Sequence, residues 1–275
     1  MHSAPGKLDS RISHRENLAD LFPDGDFRFH LTLRRGEPRE FFAPQDATGR
    51  TLAERRSWLA AEPARYTALT AEGEPLLAEF AGLCAEWGLA TGRALGALGA
   101  ALEPDFLLLS PDSAGAFRLR GGALCFPTGW ALGEKIGHTL DFIHGVVPGL
   151  NPALASPIGQ FLARLKPGPA LLRDNWGLAA TDDRNLHPAR EFAPPRLPVR
   201  LDRLWLRVEH QALFALPRTA GVVFGIRLAL HRLDEVVRIP AAAAGLRRAL
   251  ETMPADLATY KRLDTVRGAV IAALH

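Results

Sequence analysis

Two long segments with large apolar residues at alternate positions constrain the fold of this chain more than any other feature. Residues 202–216 read DRLWLRVEHQALFAL, and residues 220–233 read AGVVFGIRLALHRL. Successive side chains of a β-strand point to opposite faces, so alternation over this length predicts two antiparallel strands. The link LPRTAG suits a hairpin. The sequence therefore predicts an antiparallel sheet that contains one long hairpin.

The alternation also assigns the charged residues of the hairpin to strand faces. On the first strand, one face carries Trp205, Arg207, Glu209 and Gln211. On the second strand, Arg227 shares a face with Gly225 and Ala229. One interpretation is a solvated surface with cross-strand ion pairs. The other is a polar pocket, in which Glu209 binds or deprotonates an amine while Arg207 or Arg227 hydrogen-bonds an anionic or polarised ligand.

The rest of the chain predicts helices around further strands. Residues 51–103, and the chain from residue 240 onward, are rich in Ala and Leu at helical spacing. Residues 27–33 are compatible with a strand, and residues 104–127 carry two strand patterns around the turn PDSAGA. Residues 129–142 are compatible with a helix, residues 152–166 predict one, and residues 170–179 predict another strand. This order predicts an α+β domain, in which short helices cross one face of the sheet and leave a ligand pocket.

Composition restricts the class of function. The chain has 275 residues, is 47% hydrophobic and carries a formal net charge of only +3, with basic residues scattered, which argues against a nucleic-acid surface. Cys84 and Cys125 are too few to build an iron–sulfur cluster or a Cys-rich zinc site from this chain alone. We expect them to be reduced rather than disulfide-bonded. No apolar run of membrane-span or signal-peptide type occurs, so we expect a soluble cytoplasmic protein.

A histidine in an apolar setting is the first candidate site residue. Residues 125–149 read CFPTGWALGEKIGHTLDFIHGVVPG, and His144 has apolar neighbours on both sides. It is either a buried structural group bonded to a backbone carbonyl, or an axial ligand to haem iron with apolar walls around the macrocycle. No CxxCH motif is present, which excludes covalent haem attachment. Asn175, beside Trp176 in the word RDNW, is either a turn residue or part of a pocket wall.

Three words of this sequence, taken together, resemble one family. CFPTGWALGEKIGHTLDFIHGVVPG, LARLKPGPALLRDNW and LWLRVEHQALFALPRTAGVVFGIR occur in the order and spacing of the haem-dependent oxidative N-demethylase α-subunit family, over about residues 104–235. The resemblance implies a PAS-like fold that holds haem b through a histidine. It also implies a monooxygenase-type reaction that removes a methyl group from a small secondary amine such as dimethylamine.

Partners are implied by the same resemblance. Electrons would come from NADPH through FMN and a 2Fe–2S centre on a separate component, and tetrahydrofolate on another subunit would capture the released formaldehyde. The sequence contains no flavin or nicotinamide motif and too few cysteines for the cluster, which agrees with a haem subunit that depends on partners for electrons.

The resemblance also assigns site residues. The histidine of the family word IHxPVP falls on His144, although Gly145-Val146 departs from that word. The family word RxNW falls on Arg173, Asn175 and Trp176. RVExQxL implies that Glu209 holds the alkylammonium, and Arg207 or Arg227 would polarise dioxygen. The residues expected to bind the cofactor are His144 as the metal ligand, Phe142, Ile143, Val147, Trp130, Asn175 and Trp176.

Three segments are predicted along the chain. Residues 1–103 would form an irregular and helical N-terminal extension, residues 104–238 a PAS-like haem-binding core, and residues 239–275 C-terminal helices packing on that core. The alternatives are a haem-binding PAS module that senses gas or redox state without turnover, and a member that has lost haem. A sensor normally carries an output domain or a coiled-coil connector, and the sequence shows neither, which favours the enzyme.

Overall fold

The computed structural model describes residues 18–22, 25–29 and 32–274. Within these residues the strands are β1 (Arg34–Gly36), β2 (Thr67–Leu69), β3 (Asp105–Pro111), β4 (Phe117–Ala123), β5 (Ala170–Ala179), β6 (Trp205–Ala215) and β7 (Val222–Arg232). The α-helices are α1 (Pro38–Phe42), α2 (Arg50–Ala61), α3 (Pro63–Tyr66), α4 (Glu74–Glu86), α5 (Leu95–Ala101), α6 (Leu140–His144), α7 (Leu150–Arg164), α8 (Leu233–Val236), α9 (Pro240–Thr252), α10 (Ala255–Tyr260) and α11 (Arg267–Ala273). Short 3₁₀ turns lie at Leu18–Leu21, Ala71–Gly73, Leu132–Glu134, Pro188–Arg190 and Leu201–Arg203.

These strands form one antiparallel sheet in the order β1-β5-β6-β7-β3-β4-β2. β6 and β7 pair along their whole length, from Trp205 opposite Arg232 to Ala215 opposite Val222. The predicted long hairpin, the β3–β4 hairpin and the α+β class are therefore confirmed. Both edge strands, β1 and β2, come from the segment predicted as an N-terminal extension.

The segment before His144 differs from the helix that its sequence suggests over residues 129–142. It contains only the 3₁₀ turn Leu132–Glu134 and the five-residue α6. Gly137 lies between them with φ +79°, a left-handed backbone conformation that glycine adopts without steric cost and that a right-handed helix cannot include. Part of the strand expected near residues 27–33 lies outside the described residues, and β1 follows it.

One surface of the sheet, which we call the α7 face, carries the polar side chains of β5 and β6: Arg173, Asn175, Arg207, Glu209 and Gln211. α6 and α7 cover part of this face. Ile143 of α6 and Ile158 and Phe161 of α7 pack against a buried cluster that includes Leu107 and Ile226. Helices thus cross one face of the sheet, as the sequence predicts.

The opposite face of the sheet is closely packed. Phe42, Phe80, Phe106 and Phe214 meet there with ring centroids 5.2 to 6.2 Å apart. Burial of each ring contributes roughly 1.5–3 kcal/mol of transfer free energy. The same cluster includes Cys84, while Cys125 lies in a neighbouring one, and the two thiols are free, as expected.

Among the helices that the structure describes, none has both the length and the apolar character needed to cross a membrane.

Candidate functional site

His144 is the last residue of α6 and is half-buried. Thr139 caps the start of α6, and its hydroxyl accepts a hydrogen bond of 3.3 Å from the backbone N–H of Phe142. The His144 ring forms no hydrogen bond with any residue that the structure describes. Burial lowers the pKa of His144, and the positive charge of Arg173 lowers it further, against the opposing effect of Asp141. The ring is therefore a neutral imidazole at pH 7 with a nitrogen lone pair free for a ligand bond.

The layer formed by α6 and α7 is apolar and only partly covered by protein. α6 buries none of its residues, and Phe142 and Val146 are 54% and 53% exposed. α7 is a 15-residue helix that buries only Leu154 and Leu162. A helix layer of this kind offers apolar contact surface beside the sheet that the fold itself does not use.

Glu209 is the centre of a hydrogen-bonded group on the α7 face. One carboxylate oxygen accepts a hydrogen bond of 2.8 Å from the hydroxyl of Thr128. The other accepts from the side-chain amides of Asn175, at 3.2 Å, and Gln211, at 3.0 Å. A carboxylate has about four lone-pair sites, so these bonds fix its orientation and leave capacity for a further donor.

Arg207 contacts this hydrogen-bonded group through Thr128. Its side chain is 1% exposed, and its terminal nitrogens donate to the backbone carbonyls of Asp183, at 2.7 Å, and Arg184, at 2.9 Å. One of these nitrogens also lies 3.5 Å from the Thr128 hydroxyl, which in turn donates to Glu209. Burial lowers the pKa of Arg207 to about 10, so the guanidinium stays charged at pH 7. Arg207 therefore places Thr128 against Glu209.

The structure also brings Arg173 to the α7 face, directly opposite Gln211. Burial lowers the pKa of Arg173, although the carboxylates of Glu209 and Asp174 act in the opposite direction. The resemblance placed this residue in the RxNW word without assigning it a role. Strand alternation alone puts it on the same face as Asn175, which is the signal that identifies it.

Tyr260, the last residue of α10, and Lys261, which follows it, both interact electrostatically with Glu209. The Lys261 ammonium donates to the backbone carbonyl of Trp176 at 2.9 Å and lies 5.5 Å from the centre of its ring. Burial lowers the pKa of Lys261, and Glu209 opposes this shift. Burial also raises the pKa of Tyr260, with a contribution from Glu209. Neither Tyr260 nor Lys261 was predicted, because both reach the site only through tertiary packing.

Arg227 does not share a surface with Glu209, which corrects the expectation from the sequence. It pairs with His210 across β6 and β7 and therefore projects from the opposite face. Its guanidinium pairs with the Glu103 carboxylate and donates to the carbonyls of Phe41, at 2.6 Å, and Ala43, at 2.8 Å. Arg227 thus ties the N-terminal segment to the sheet.

Some of the residues expected around a cofactor also lie elsewhere. Trp176 projects from the opposite face to Asn175 and packs edge-on against Phe22, with centroids 5.3 Å apart. Phe142 points outward and stacks on His138 at 4.0 Å. Three others remain candidates for a pocket wall or its rim. Ile143 and Trp130 pack against the cluster that includes Leu107 and Ile226. Val147 packs against a separate buried cluster to which the C-terminal helices contribute.

Two clefts lie apart from this group. A cleft of about 620 Å³ lies along the C-terminal half of α7 and includes Arg164, Phe161 and Leu171 in its lining. A smaller one of about 200 Å³ adjoins Glu103 and Arg227. Neither is lined by His144 or Glu209, so the chemistry of the side chains, rather than cleft size, identifies the site.

No group of three or more His, Cys, Asp or Glu side chains in the described chain could hold a bare metal ion. A lone neutral histidine serves as a metal ligand when the cofactor brings the remaining ligands itself, as a porphyrin does. The residues present therefore fit a haem better than a metal ion held by protein ligands alone.

A family model described as haem-dependent oxidative N-demethylase, alpha subunit-like, matches residues 65–271. The match runs from within α3 to within α11. It contains the site residues described above: Thr128, His144, Arg173, Asn175, Arg207, Glu209, Gln211, Tyr260 and Lys261.

Proposed function

Because the chain belongs to the haem-dependent oxidative N-demethylase, alpha subunit-like family, we propose that it is the haem-bearing subunit of an enzyme that demethylates a small secondary amine such as dimethylamine. The observation that carries the proposal is the carboxylate of Glu209, which Thr128, Asn175 and Gln211 orient on the α7 face. His144, on the helix layer over this face, adds an imidazole that bonds no described residue, and both groups interact electrostatically with Arg173. One supplies an iron ligand and the other an ammonium-binding anion.

His144 would hold haem b through its free ring nitrogen, and Ile143 and Trp130 would supply apolar contacts. When bound, haem supplies the iron at which dioxygen is activated. The overall reaction balances when the N-methyl group and O₂ react with two electrons and two protons to give the demethylated amine, formaldehyde and water.

Glu209 would bind the substrate as an alkylammonium ion. Its three hydrogen-bond donors hold the carboxylate in place, and the remaining lone-pair site accepts the N–H of the ammonium. Arg207 acts as a positioning residue, because its terminal nitrogens are occupied by backbone carbonyls and Thr128. This role replaces direct polarisation of dioxygen, which the resemblance implied for Arg207 or Arg227.

The family description as an alpha subunit implies partner subunits. We propose that one partner delivers electrons from NADPH through FMN and a 2Fe–2S centre, and that another carries tetrahydrofolate to capture formaldehyde. The two cysteines of this chain are both buried and lie in different clusters, which supports placing the iron–sulfur centre on a partner.

Turnover distinguishes an enzyme from a haem-binding sensor. Haem-reconstituted protein should release formaldehyde from dimethylamine when it is supplied with O₂ and a chemical reductant such as dithionite-reduced methyl viologen. The control is the same mixture with haem-free protein and with catalase to remove peroxide. A haem-loaded protein that forms no formaldehyde above this control with any small secondary amine contradicts the proposed activity.

Glu209→Gln should weaken amine binding while haem binding is kept. The substitution removes the charge but keeps the size of the side chain, and a hydrogen bond to a charged group contributes about 1.5–3 kcal/mol. We therefore expect the Kd for dimethylamine, measured by its perturbation of the Soret band, to rise roughly tenfold to a hundredfold. Glu235→Gln, an exposed carboxylate on α8, is the matched control and should leave the Kd unchanged. Loss of the Soret band in Glu209→Gln would contradict the assigned role.

A further inference from the structure

Arg173 carries a charge that no described residue neutralises by direct contact. It lies opposite Gln211 and two residues from Asn175, which pairs with Glu209. The Arg173 side chain is half-buried and forms neither a hydrogen bond nor an ion pair with any residue in the described ranges. A guanidinium has five N–H donors, and those of Arg173 have no acceptor among the described residues, so they are available to an anion.

The two carboxylates that act electrostatically on Arg173, those of Glu209 and Asp174, form their hydrogen bonds with other residues. Asp174 projects from the other face of β5, where it accepts from Arg34 at 2.8 Å and lies 2.7 Å from the His210 ring. Glu209 is held by its three donors on the α7 face. Neither carboxylate bonds Arg173, so this guanidinium is available to an anion that a ligand supplies.

We infer that Arg173 binds a propionate carboxylate of the haem, an inference that rests on the proposed haem function. Haem b is a flat apolar macrocycle that carries two carboxylates at one edge and iron at its centre. Arg173 and Ile226 flank Gln211 on the α7 face. Ile143, next to His144, packs against the cluster that contains Ile226, so the proposed iron ligand and the unpaired cation lie over one face of the sheet. Arg173 also acts electrostatically on His144. The apolar side chains of the α6–α7 layer lie nearby.

The guanidinium suits this partner better than an ammonium would. Its planar fork donates two parallel N–H bonds to one carboxylate, which a lysine cannot reproduce. Arg173 is thereby distinguished from the exposed cations of the chain, such as Arg164 at the end of α7, which solvent screens.

The test compares haem with haem dimethyl ester, whose propionates carry no charge. Kd values are measured by Soret titration of the full-length apoprotein. The wild-type chain should bind haem about tenfold or more tightly than the ester. In Arg173→Gln this ratio should fall towards one, while the position of the Soret band stays that of wild type because His144 is unchanged. Arg173→Lys should give an intermediate ratio.

Arg164→Gln is the matched control and should keep the wild-type ratio. A wild-type protein that binds haem and its ester equally well overturns the inference without any variant. It is also overturned if Arg173→Gln weakens both ligands by the same factor, since the loss would then be structural. If the wild-type protein binds neither porphyrin, the proposed haem function fails and the inference fails with it.

Discussion

His144→Ala is expected to purify without a Soret band and to bind added haem at least about a hundredfold more weakly than the wild-type chain. The imidazole would be the protein's bond to the iron, and apolar contacts from a thinly packed helix layer cannot replace it. The substitution should leave the fold intact, because the ring forms no hydrogen bond with a described residue and contributes to no fully buried cluster. Soret titration and a urea unfolding curve measure the two effects separately.

Free imidazole should restore the Soret band of His144→Ala, since the substitution leaves space for a small ligand where the ring stood. His138→Ala is the matched control. His138 lies on the same segment but is exposed and stacked on Phe142, so its removal should leave the haem Kd unchanged. A normal Soret band in His144→Ala, or its loss in His138→Ala, contradicts the assignment of the iron ligand.

Strand alternation explains which site residues the sequence could provide. Arg207, Glu209 and Gln211 share a face of β6 because their spacing is two, and the structure confirms this placement. The same rule separates Asn175 from Trp176, since adjacent residues of a strand project to opposite faces. Asn175 and Trp176 therefore line different faces of β5, as alternation within the strand predicts.

The position of Arg227 required information that one strand does not contain. Alternation within β7 determines which of its residues share a face. Which residues of β6 lie on that same face depends on the register between the two strands. A register shift of one residue would move every side chain of β7 to the other face of the sheet. The structure pairs Arg227 with His210, which places it away from Glu209. The shared charge of Arg207 and Arg227 therefore does not predict that they lie on the same face of the sheet.

Thr128 illustrates what no local pattern predicts. It lies 81 residues before Glu209 in the sequence, on an irregular segment. The segment is held by a bridge to Leu186 and by the 3.5 Å contact of the Thr128 hydroxyl with Arg207, which also binds the carbonyls of residues 183 and 184. Only long-range packing brings this hydroxyl to the carboxylate, so its role follows from the fold and not from its neighbours.

Asp105→Ala should be the most destabilising single change near the site. Asp105 is 1% exposed, pairs with the buried guanidinium of Arg55, and accepts the backbone N–H groups of Cys125, at 2.6 Å, and Phe126, at 3.0 Å. Removing one partner of a buried pair leaves an uncompensated charge and costs about 3–5 kcal/mol, beyond the lost bonds to the backbone. The free energy of unfolding in urea measures the loss. Asp202→Ala, an exposed carboxylate, should not shift the unfolding midpoint measurably.

Asp105→Asn connects this stability to function. The amide keeps an oxygen acceptor for one backbone N–H but loses the charge opposite Arg55, so the variant should be less destabilised than Asp105→Ala and remain measurable if the latter does not fold. The segment that Asp105 holds leads directly to Thr128, and through it to Glu209. We therefore expect folded, haem-loaded Asp105→Asn to bind dimethylamine more weakly, with an unchanged Soret band. Wild-type stability in both variants would contradict the structural role of the Asp105–Arg55 pair. A loss of stability with unchanged amine affinity would mean that the segment held by Asp105 does not determine the position of Glu209.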